Sequence, residues 1–100
     1  MLTTKQKAYL RGLAHHLDPV FQIGKEGVSA EMMDGILAYL KKHELMKVTM
    51  LNNSTISYED ASSIFQGCHI EVVQIIGHIF VLYKHSQTAK DPIVLPKIKK

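Results

Sequence analysis

The sequence predicts a small α+β domain, a two-layer α/β arrangement in which helices pack on a four-stranded mixed sheet. Three segments place apolar residues at helical spacing, and four others are rich in β-branched and aromatic residues. The predicted order is helix, strand, helix, strand, helix, strand, strand. Strand–helix–strand units require parallel neighbours, and the last two strands close as an antiparallel hairpin. At 100 residues the chain is expected to hold one core and no second one.

The first helix is predicted over residues 4–17, with Thr4 as its N-cap and Pro19 preventing its continuation. An apolar stripe is expected to face the core, and small, basic and polar residues occupy the opposite side. The stripe consists of Leu10, Leu13, Ala14 and Leu17. The opposite side consists of Lys5, Ala8, Arg11, Gly12 and His15.

The second helix follows a short strand and a turn with a glycine at each end. The strand covers residues 20–23, the turn is Gly24-Lys25-Glu26-Gly27, and Ser29 is the expected N-cap of the helix. Val28 and Met33 stand at the positions of a hydrophobic staple. The buried face of this helix is predicted to consist of Met33, Ile36, Leu37 and Leu40.

The second strand is predicted over residues 45–50, and the third helix from Tyr58 to about Gln66. Ser57 is the expected N-cap of that helix, and Gly67 is expected to end it. Its buried side is predicted to consist of Ala61, Ile64 and Phe65.

The closing hairpin is predicted from two apolar segments, residues 70–76 and 79–83. Gly77-His78 lies between them, and glycine in the first position of a two-residue loop indicates a type II′ turn.

Basic residues are concentrated at the two ends of the chain. Residues 1–17 contain three basic residues and no acid, residues 84–100 contain five lysines and one aspartate, and residues 18–83 contain four lysines and eight acids. This asymmetry suits a domain whose one face approaches a polyanion. We predict a domain over residues 1–84 and a basic tail over residues 85–100.

The turn Gly24–Gly27 is the most distinctive local motif. Two glycines three residues apart allow a tight turn and let the backbone approach another molecule closely. The helix that follows offers unpaired N–H groups and the positive end of its dipole, and Lys25 adds a cation, all of which suit a phosphate. By itself this pattern is also typical of an ordinary strand-to-helix turn. It is neither a Walker loop nor a dinucleotide-binding fingerprint.

The remaining polar residues indicate no catalytic or metal chemistry. The six histidines lack the spacing of zinc ligands, the carboxylates form no acid–base pair, and the lone Cys68 has no internal partner for a disulfide. We therefore expect no enzyme activity, no metal and no cofactor. The lone cysteine and the lack of a secretory signal or an apolar run long enough to cross a membrane favour the cytoplasm.

Several longer motifs occur in a fixed order. They are Leu10-Arg11-Gly12-Leu13-Ala14-His15, Ile23-Gly24-Lys25-Glu26-Gly27, His43-Glu44-Leu45-Met46-Lys47-Val48 and Val73-Gln74-Ile75-Ile76-Gly77-His78. Together they resemble the YhbY-like proteins, the stand-alone bacterial form of the CRM (chloroplast RNA splicing and ribosome maturation) domain, over nearly the whole domain.

The resemblance implies a fold similar to the C-terminal domain of translation initiation factor three, with sheet order 1-2-4-3 and the last strand antiparallel. It also implies RNA binding, with bacterial members associating with precursors of the large ribosomal subunit. Carried over by position, the contact surface would be Gly24–Gly27 and the basic face of the first helix. Glu26 and Asp18 depart from the family, which often has a neutral and a basic residue at these positions, and both predict weaker electrostatic binding.

We therefore expect an RNA-binding protein, favoured as a monomer, whose RNA is ribosomal RNA of large-subunit precursors. Two alternatives remain: a protein-interaction module, or another nucleic-acid-binding domain such as an Alba-like one. A KH-type domain is disfavoured because a strand, and not a helix, precedes the glycine turn. The expected contact residues are Gly24, Lys25, Glu26, Gly27, Lys5, Lys7, Arg11, Gly12 and His15.

Overall fold

A computed structural model describes residues 2–86 and residue 93, and within these residues the chain forms the predicted elements in the predicted order. The basic tail beyond residue 86 therefore lies outside the described residues, apart from Ile93. The helices are α1 (Thr4–Ala14), α2 (Ala30–His43) and α3 (Tyr58–Gly67). The strands are β1 (Phe21–Ile23), β2 (Leu45–Met50), β3 (Glu71–Ile76) and β4 (Ile79–Tyr83).

The four strands form one mixed sheet in the order β1-β2-β4-β3. β1 and β2 are parallel, and β4 is antiparallel to both β2 and β3. The α+β class with a four-stranded mixed sheet, and the sheet order implied by the resemblance, are thus confirmed. A β-bulge between Val72 and Gln74 interrupts the pairing of β3 with β4, and the sequence pattern did not predict it.

The helices cover both faces of the sheet, so the expectation of a single core between two layers is wrong. A larger cluster lies between the sheet and the two helices α2 and α3, and a smaller one lies between the sheet and α1. β4 shows why: Phe80 and Leu82 belong to the larger cluster, whereas Val81 and Tyr83 belong to the smaller. A strand with apolar side chains on both faces must be covered on both.

The N-cap of α1 lies one residue earlier than predicted. Thr3, and not Thr4, is the N-cap, because Gln6 lies three residues after it and completes a capping box. The Thr3 Oγ1 accepts from the backbone N–H of Gln6 at 3.1 Å, and the Thr3 N–H donates to the Gln6 side chain at 3.0 Å. The capping box fixes the start of the helix without an acidic residue in its first turn.

α1 also ends earlier, at Ala14, so its buried stripe is shorter than predicted. Leu10 and Ala14 are buried, but Leu13 is 38% and Leu17 is 37% exposed. Leu17 lies beyond the helix, where the helical spacing that placed it in the stripe no longer applies. Fewer side chains therefore pack between α1 and the sheet than the leucine spacing predicted.

The N-caps of α2 and α3 are confirmed, whereas the role predicted for Gly67 in ending α3 is wrong. Ser29 and Ser57 each accept a backbone N–H at 3.1 Å. Gly67 is the last helical residue, and the left-handed conformation that ends the helix is taken by His69, with φ of 62°. Ile64, predicted to be buried with Ala61 and Phe65, is 38% exposed.

The β3–β4 turn is confirmed. Gly77 has a φ of +59°, and His78 is not among the residues with positive φ, which fits a type II′ turn and not a type I′ turn.

Glu44 is the one fully buried charged side chain among the described residues. It ends α2 in the left-handed conformation, with φ of 64°. Its carboxylate accepts backbone N–H bonds from Ser86 at 2.6 Å and from Ile93 at 2.7 Å, and His85 Nδ1 lies 3.1 Å away. Residues beyond the predicted domain boundary at residue 84 are thus attached to the body of the domain.

Candidate nucleic-acid interface

The turn Gly24–Gly27 has a defined backbone geometry. The N–H of Gly27 donates to the carbonyl of Gly24 at 3.0 Å, and Gly27 has a φ of +70°. Lys25 and Glu26 form the exposed tip. The turn therefore presents one basic and one acidic side chain, together with their peptide groups, beyond the end of β1.

The two glycines of the turn are needed for different reasons. Gly27 is buried, and its positive φ is a conformation that residues with a Cβ rarely adopt. Gly24 is half-buried, and a Cβ there would meet Leu51 and Asn53 at ordinary contact distances of 3.7 and 3.8 Å. Close approach by another molecule, which the sequence suggested at both glycines, is not available at the buried Gly27. The glycine is required there by the shape of the turn.

A second loop supports the turn, and the sequence reading did not identify it. This β2–α3 loop spans residues 51–57, and its Thr55 Oγ1 donates to the carbonyl of Lys25 at 3.0 Å. Leu51 N–H donates to Ile23 O at 2.8 Å. The sequence did contain a signal for this loop, because polar residues follow β2. The carboxyl ends of adjacent parallel strands meet at one edge of a sheet, so these residues lie beside the turn that follows β1.

The electrostatics of the turn are mixed. Ser29 caps α2 directly after it, which leaves other N–H groups of the first helical turn unpaired within the helix. Lys25 is positive, but Glu26 at the tip and Glu31 in the first turn of α2 are both negative. Attraction of a phosphate here must therefore come from Lys25 and from backbone N–H groups, and not from the net charge.

The outer face of α1 is exposed as predicted. Gly12 leaves open space around its Cα, since nothing lies within 4 Å of the position a Cβ would take. Lys7 differs from the other basic residues of α1: it is half-buried, because it lies two turns before Ala14 on the same side of the helix. His15 is the C-cap residue. The exposed residues of this face are Lys5, Ala8, Arg11, Gly12 and His15.

The structure places the turn and α1 on different parts of the molecule. α1 packs on β2, β3 and β4 across the face opposite α2, whereas the turn lies at the end of β1. Lys47 on β2 lies between them and was missed from the sequence. Side chains alternate between the two faces of a strand, and the neighbours Met46 and Val48 belong to the larger cluster. Lys47 is therefore directed to the α1 side of the sheet.

The same face continues from Lys47 towards the turn. Thr49 follows two residues later on β2 and pairs with Gln22 of β1, directly before Ile23 and the turn. Gln22 is exposed, and Lys47 and Thr49 are half-buried. We call the outer face of α1, this part of the sheet and the turn, taken together, the basic path.

The pKa of Tyr83 is raised in the folded protein. Burial raises the pKa of Tyr83 above its usual value of 10.0, and the negative charge of Glu44 raises it further. Tyr83 belongs to the small cluster beneath α1. It is therefore part of the support of α1 and not of the exposed path.

Within residues 2–86 and residue 93, no group of three or more histidine, cysteine or acidic residues is arranged to hold a metal ion. In the same residues, no helix has both the length and the apolar character needed to cross a membrane.

These features define a small α/β domain with an exposed basic helix and a supported glycine turn. A model of the CRS1/YhbY (CRM) domain matches residues 2–84. The chain belongs to this family, as the sequence motifs predicted.

The relatives carry consistent descriptions. The chain is 45% identical over 97 residues to a protein of Bacillus subtilis, YqeI, named as a probable RNA-binding protein, covering 96% of this chain and 100% of that one. It is 40% identical over 97 residues to a Haemophilus influenzae protein named as an RNA-binding protein, covering 96% of both. These names describe RNA-binding proteins and not enzymes, in line with the expectation from the sequence.

A solved structure supports the fold. It is the solution structure of a hypothetical protein from Staphylococcus aureus proposed to bind RNA. It matches with a TM-score of 0.73 and 41% identity, covering 96% of this chain and 100% of that one.

Proposed function

We propose that the chain binds RNA along the basic path, and that its RNA is ribosomal RNA in precursors of the large ribosomal subunit, in the cytoplasm. RNA binding is supported by the family and by the names of the relatives. The ribosomal partner is supported by the resemblance to YhbY-like proteins described above.

The observation that carries the proposed surface is the exposure of Arg11 on the outer face of α1 and of Lys25 on the turn, together with a third basic residue, Lys47, directed to the α1 side of the sheet. Basic side chains spaced along one side neutralise successive phosphates and release counterions. The supported turn adds peptide groups at a fixed position, and the open space at Gly12 lets a backbone approach α1 closely. Together these contacts would hold a folded RNA by its sugar-phosphate backbone, without reading its bases.

The test is the affinity of an Arg11→Ala, Lys25→Ala double variant for large-subunit and small-subunit ribosomal RNA over a range of salt concentrations. The wild type should prefer large-subunit RNA. In the variant, the slope of log affinity against log salt should become shallower by roughly 1.4 to 1.8, because two phosphate contacts are lost. The melting temperature should stay nearly unchanged, since both side chains are exposed.

A Lys41→Ala, Lys42→Ala variant is the matched control. It removes the same charge from two exposed lysines in the last turn of α2, at the end of the helix away from Gly24–Gly27. An equal loss of affinity in both variants would show that only overall charge matters, and the proposed surface would be wrong. Equal binding of the two ribosomal RNAs would contradict the proposed partner.

A further inference from the structure

Three loops meet at the edge of the sheet that carries the turn Gly24–Gly27. The β2–α3 loop supports the turn through Thr55, as described above. The β3–β4 turn contacts the residues that flank that loop: the N–H of Met50, the last residue of β2, donates to the carbonyl of His78 at 2.7 Å. The Tyr58 hydroxyl and the Nδ1 of His78 are 2.8 Å apart and hydrogen-bonded. The β2–α3 loop therefore lies between the glycine turn and the hairpin tip.

A groove opens between the β2–α3 loop and the hairpin tip. Its volume is about 270 Å³, and its lining combines apolar, amide, hydroxyl and aromatic side chains, among them Asn52, Ser54, Ile56, Tyr58 and His78. The volume is far above the roughly 30 Å³ that one water occupies in the liquid. It is slightly below the roughly 300–1,000 Å³ of typical small-molecule pockets. A groove of this size suits one planar ring system and is small for a complete nucleotide.

We propose that this groove binds one unpaired base of the RNA whose backbone contacts the turn Gly24–Gly27. This inference rests on the proposed function and extends it from backbone recognition to recognition of a base. Unstacked RNA bases are held by stacking on aromatic side chains, histidine and tyrosine included, and by hydrogen bonds to their edges. The groove offers both kinds of contact next to the turn.

The aromatic side of the groove is preorganised. The Tyr58 ring packs against Phe80 of the larger cluster, with ring centroids 5.6 Å apart. Its hydroxyl then fixes the exposed imidazole of His78 through the 2.8 Å hydrogen bond. His78 therefore presents a ring at a defined position although it lies in a turn. A base that stacks on it would not have to order that side chain on binding.

The hydrogen-bonding capacity of the groove is concentrated in Asn52. The Ser54 hydroxyl bonds to the backbone of Ile56, and the Ser57 hydroxyl accepts from the N–H of Asp60. Asn52 is exposed, and its side-chain amide has no hydrogen-bond partner within the described part of the chain. An amide offers both donors and an acceptor, which is what the edge of a base requires.

The test uses three RNAs: a hairpin whose loop contains all four bases, the same hairpin with a base-free loop that keeps its phosphates, and a blunt duplex of equal charge. The wild type should bind the intact hairpin about 5- to 150-fold more tightly than the base-free one, the range expected for stacking of one base. An Asn52→Ala, His78→Ala variant should bind both hairpins equally and bind the duplex like the wild type.

A Gln66→Ala, His43→Ala variant is the matched control. It also removes an exposed amide and an exposed imidazole beside a tyrosine, since His43 lies against Tyr39. It should keep the preference for the intact hairpin. The single variant Asn52→Ala is tested as well. It should fold like the wild type, because this side chain supports no other residue, so a change in its RNA binding does not reflect a folding defect.

The base-binding groove is contradicted if the wild type does not distinguish the two hairpins, or if the double variant keeps the preference. Duplex binding separates the two proposals. A wild type that binds the duplex and ignores the bases leaves the proposed function standing and removes the groove. A wild type that binds none of the three RNAs overturns both.

Discussion

The turn Gly24–Gly27 and the outer face of α1 are held in place in different ways. The turn is shaped by its own backbone: a 3.0 Å hydrogen bond across it, a positive φ at Gly27, and a second hydrogen bond from Thr55. The outer face of α1 carries exposed side chains on a regular helix, and Arg11 has no ion pair in the described part of the chain. A substitution at Gly27 therefore changes the shape of the turn, whereas a substitution on the outer face of α1 changes its charge or the space above it.

The largest effect is expected at Gly27. A Gly27→Val substitution should lower both the melting temperature and the affinity for RNA, because left-handed backbone costs residues with a Cβ roughly 1–2 kcal/mol and β-branched ones more. Gly24→Ala should leave the melting temperature nearly unchanged, since its Cβ would make only ordinary contacts. Thermal denaturation and RNA binding measure both.

Gly27→Asn is the control, because asparagine tolerates the left-handed conformation better than other residues with a Cβ. It should recover much of the affinity that valine loses. If valine and asparagine had the same effect, the shape of the turn would not be the reason for the glycine.

An intermediate effect is expected at Gly12, with opposite signs for stability and binding. Gly12→Ala should stabilise the protein by up to about 1 kcal/mol, because alanine is a better helix former and nothing obstructs its Cβ. If an RNA backbone lies against this part of α1, the same methyl group should weaken binding. Ala8→Gly, on the same exposed face, is the reverse control and should destabilise the helix. Unchanged affinity in Gly12→Ala would place the RNA away from Gly12.

The smallest effect is expected at high pH, beneath α1. The pKa of Tyr83 is raised in the folded protein, first by burial and then by Glu44, so the unfolded chain loses this proton at a lower pH. The free energy of unfolding should therefore fall as the pH rises past 10.0, the usual tyrosine value. Chemical denaturation of wild type and Tyr83→Phe across pH 9–11 checks this, with the exposed Tyr9→Phe as control. Equal pH dependence of all three would contradict it.

The sequence predicted the helices and strands more accurately than the way in which they pack on one another. The apolar spacing of Met33, Ile36 and Leu40 and the cap at Ser29 were sufficient to place α2, because both signals are local. The side of the sheet on which α1 packs was not predicted, because periodicity says that a helix has a buried face and not what covers it. The exposed Leu13 shows the same limit.

The candidate site was predicted only in part, again because the signals in a sequence are local. The turn Gly24–Gly27 was recognisable because its spacing lies within four residues. Lys47 and Thr55 were missed because their relation to the turn depends on strand pairing between distant segments. The parallel pairing of β1 and β2 was itself predicted, so the polar residues after β2 could have been placed beside the turn. The bulge in β3 left no comparable sequence signal.

The carboxylate of Glu44 has a consequence for where the domain physically ends. The family match stops at residue 84, but two of the backbone donors to this carboxylate belong to Ser86 and Ile93. A polypeptide cut at residue 84 would retain a negative charge in an apolar interior without the amides that solvate it, an arrangement that costs several kcal/mol. The backbone N–H groups of Ser86 and Ile93 thus solvate, from outside the matched domain, a carboxylate that its own interior cannot solvate.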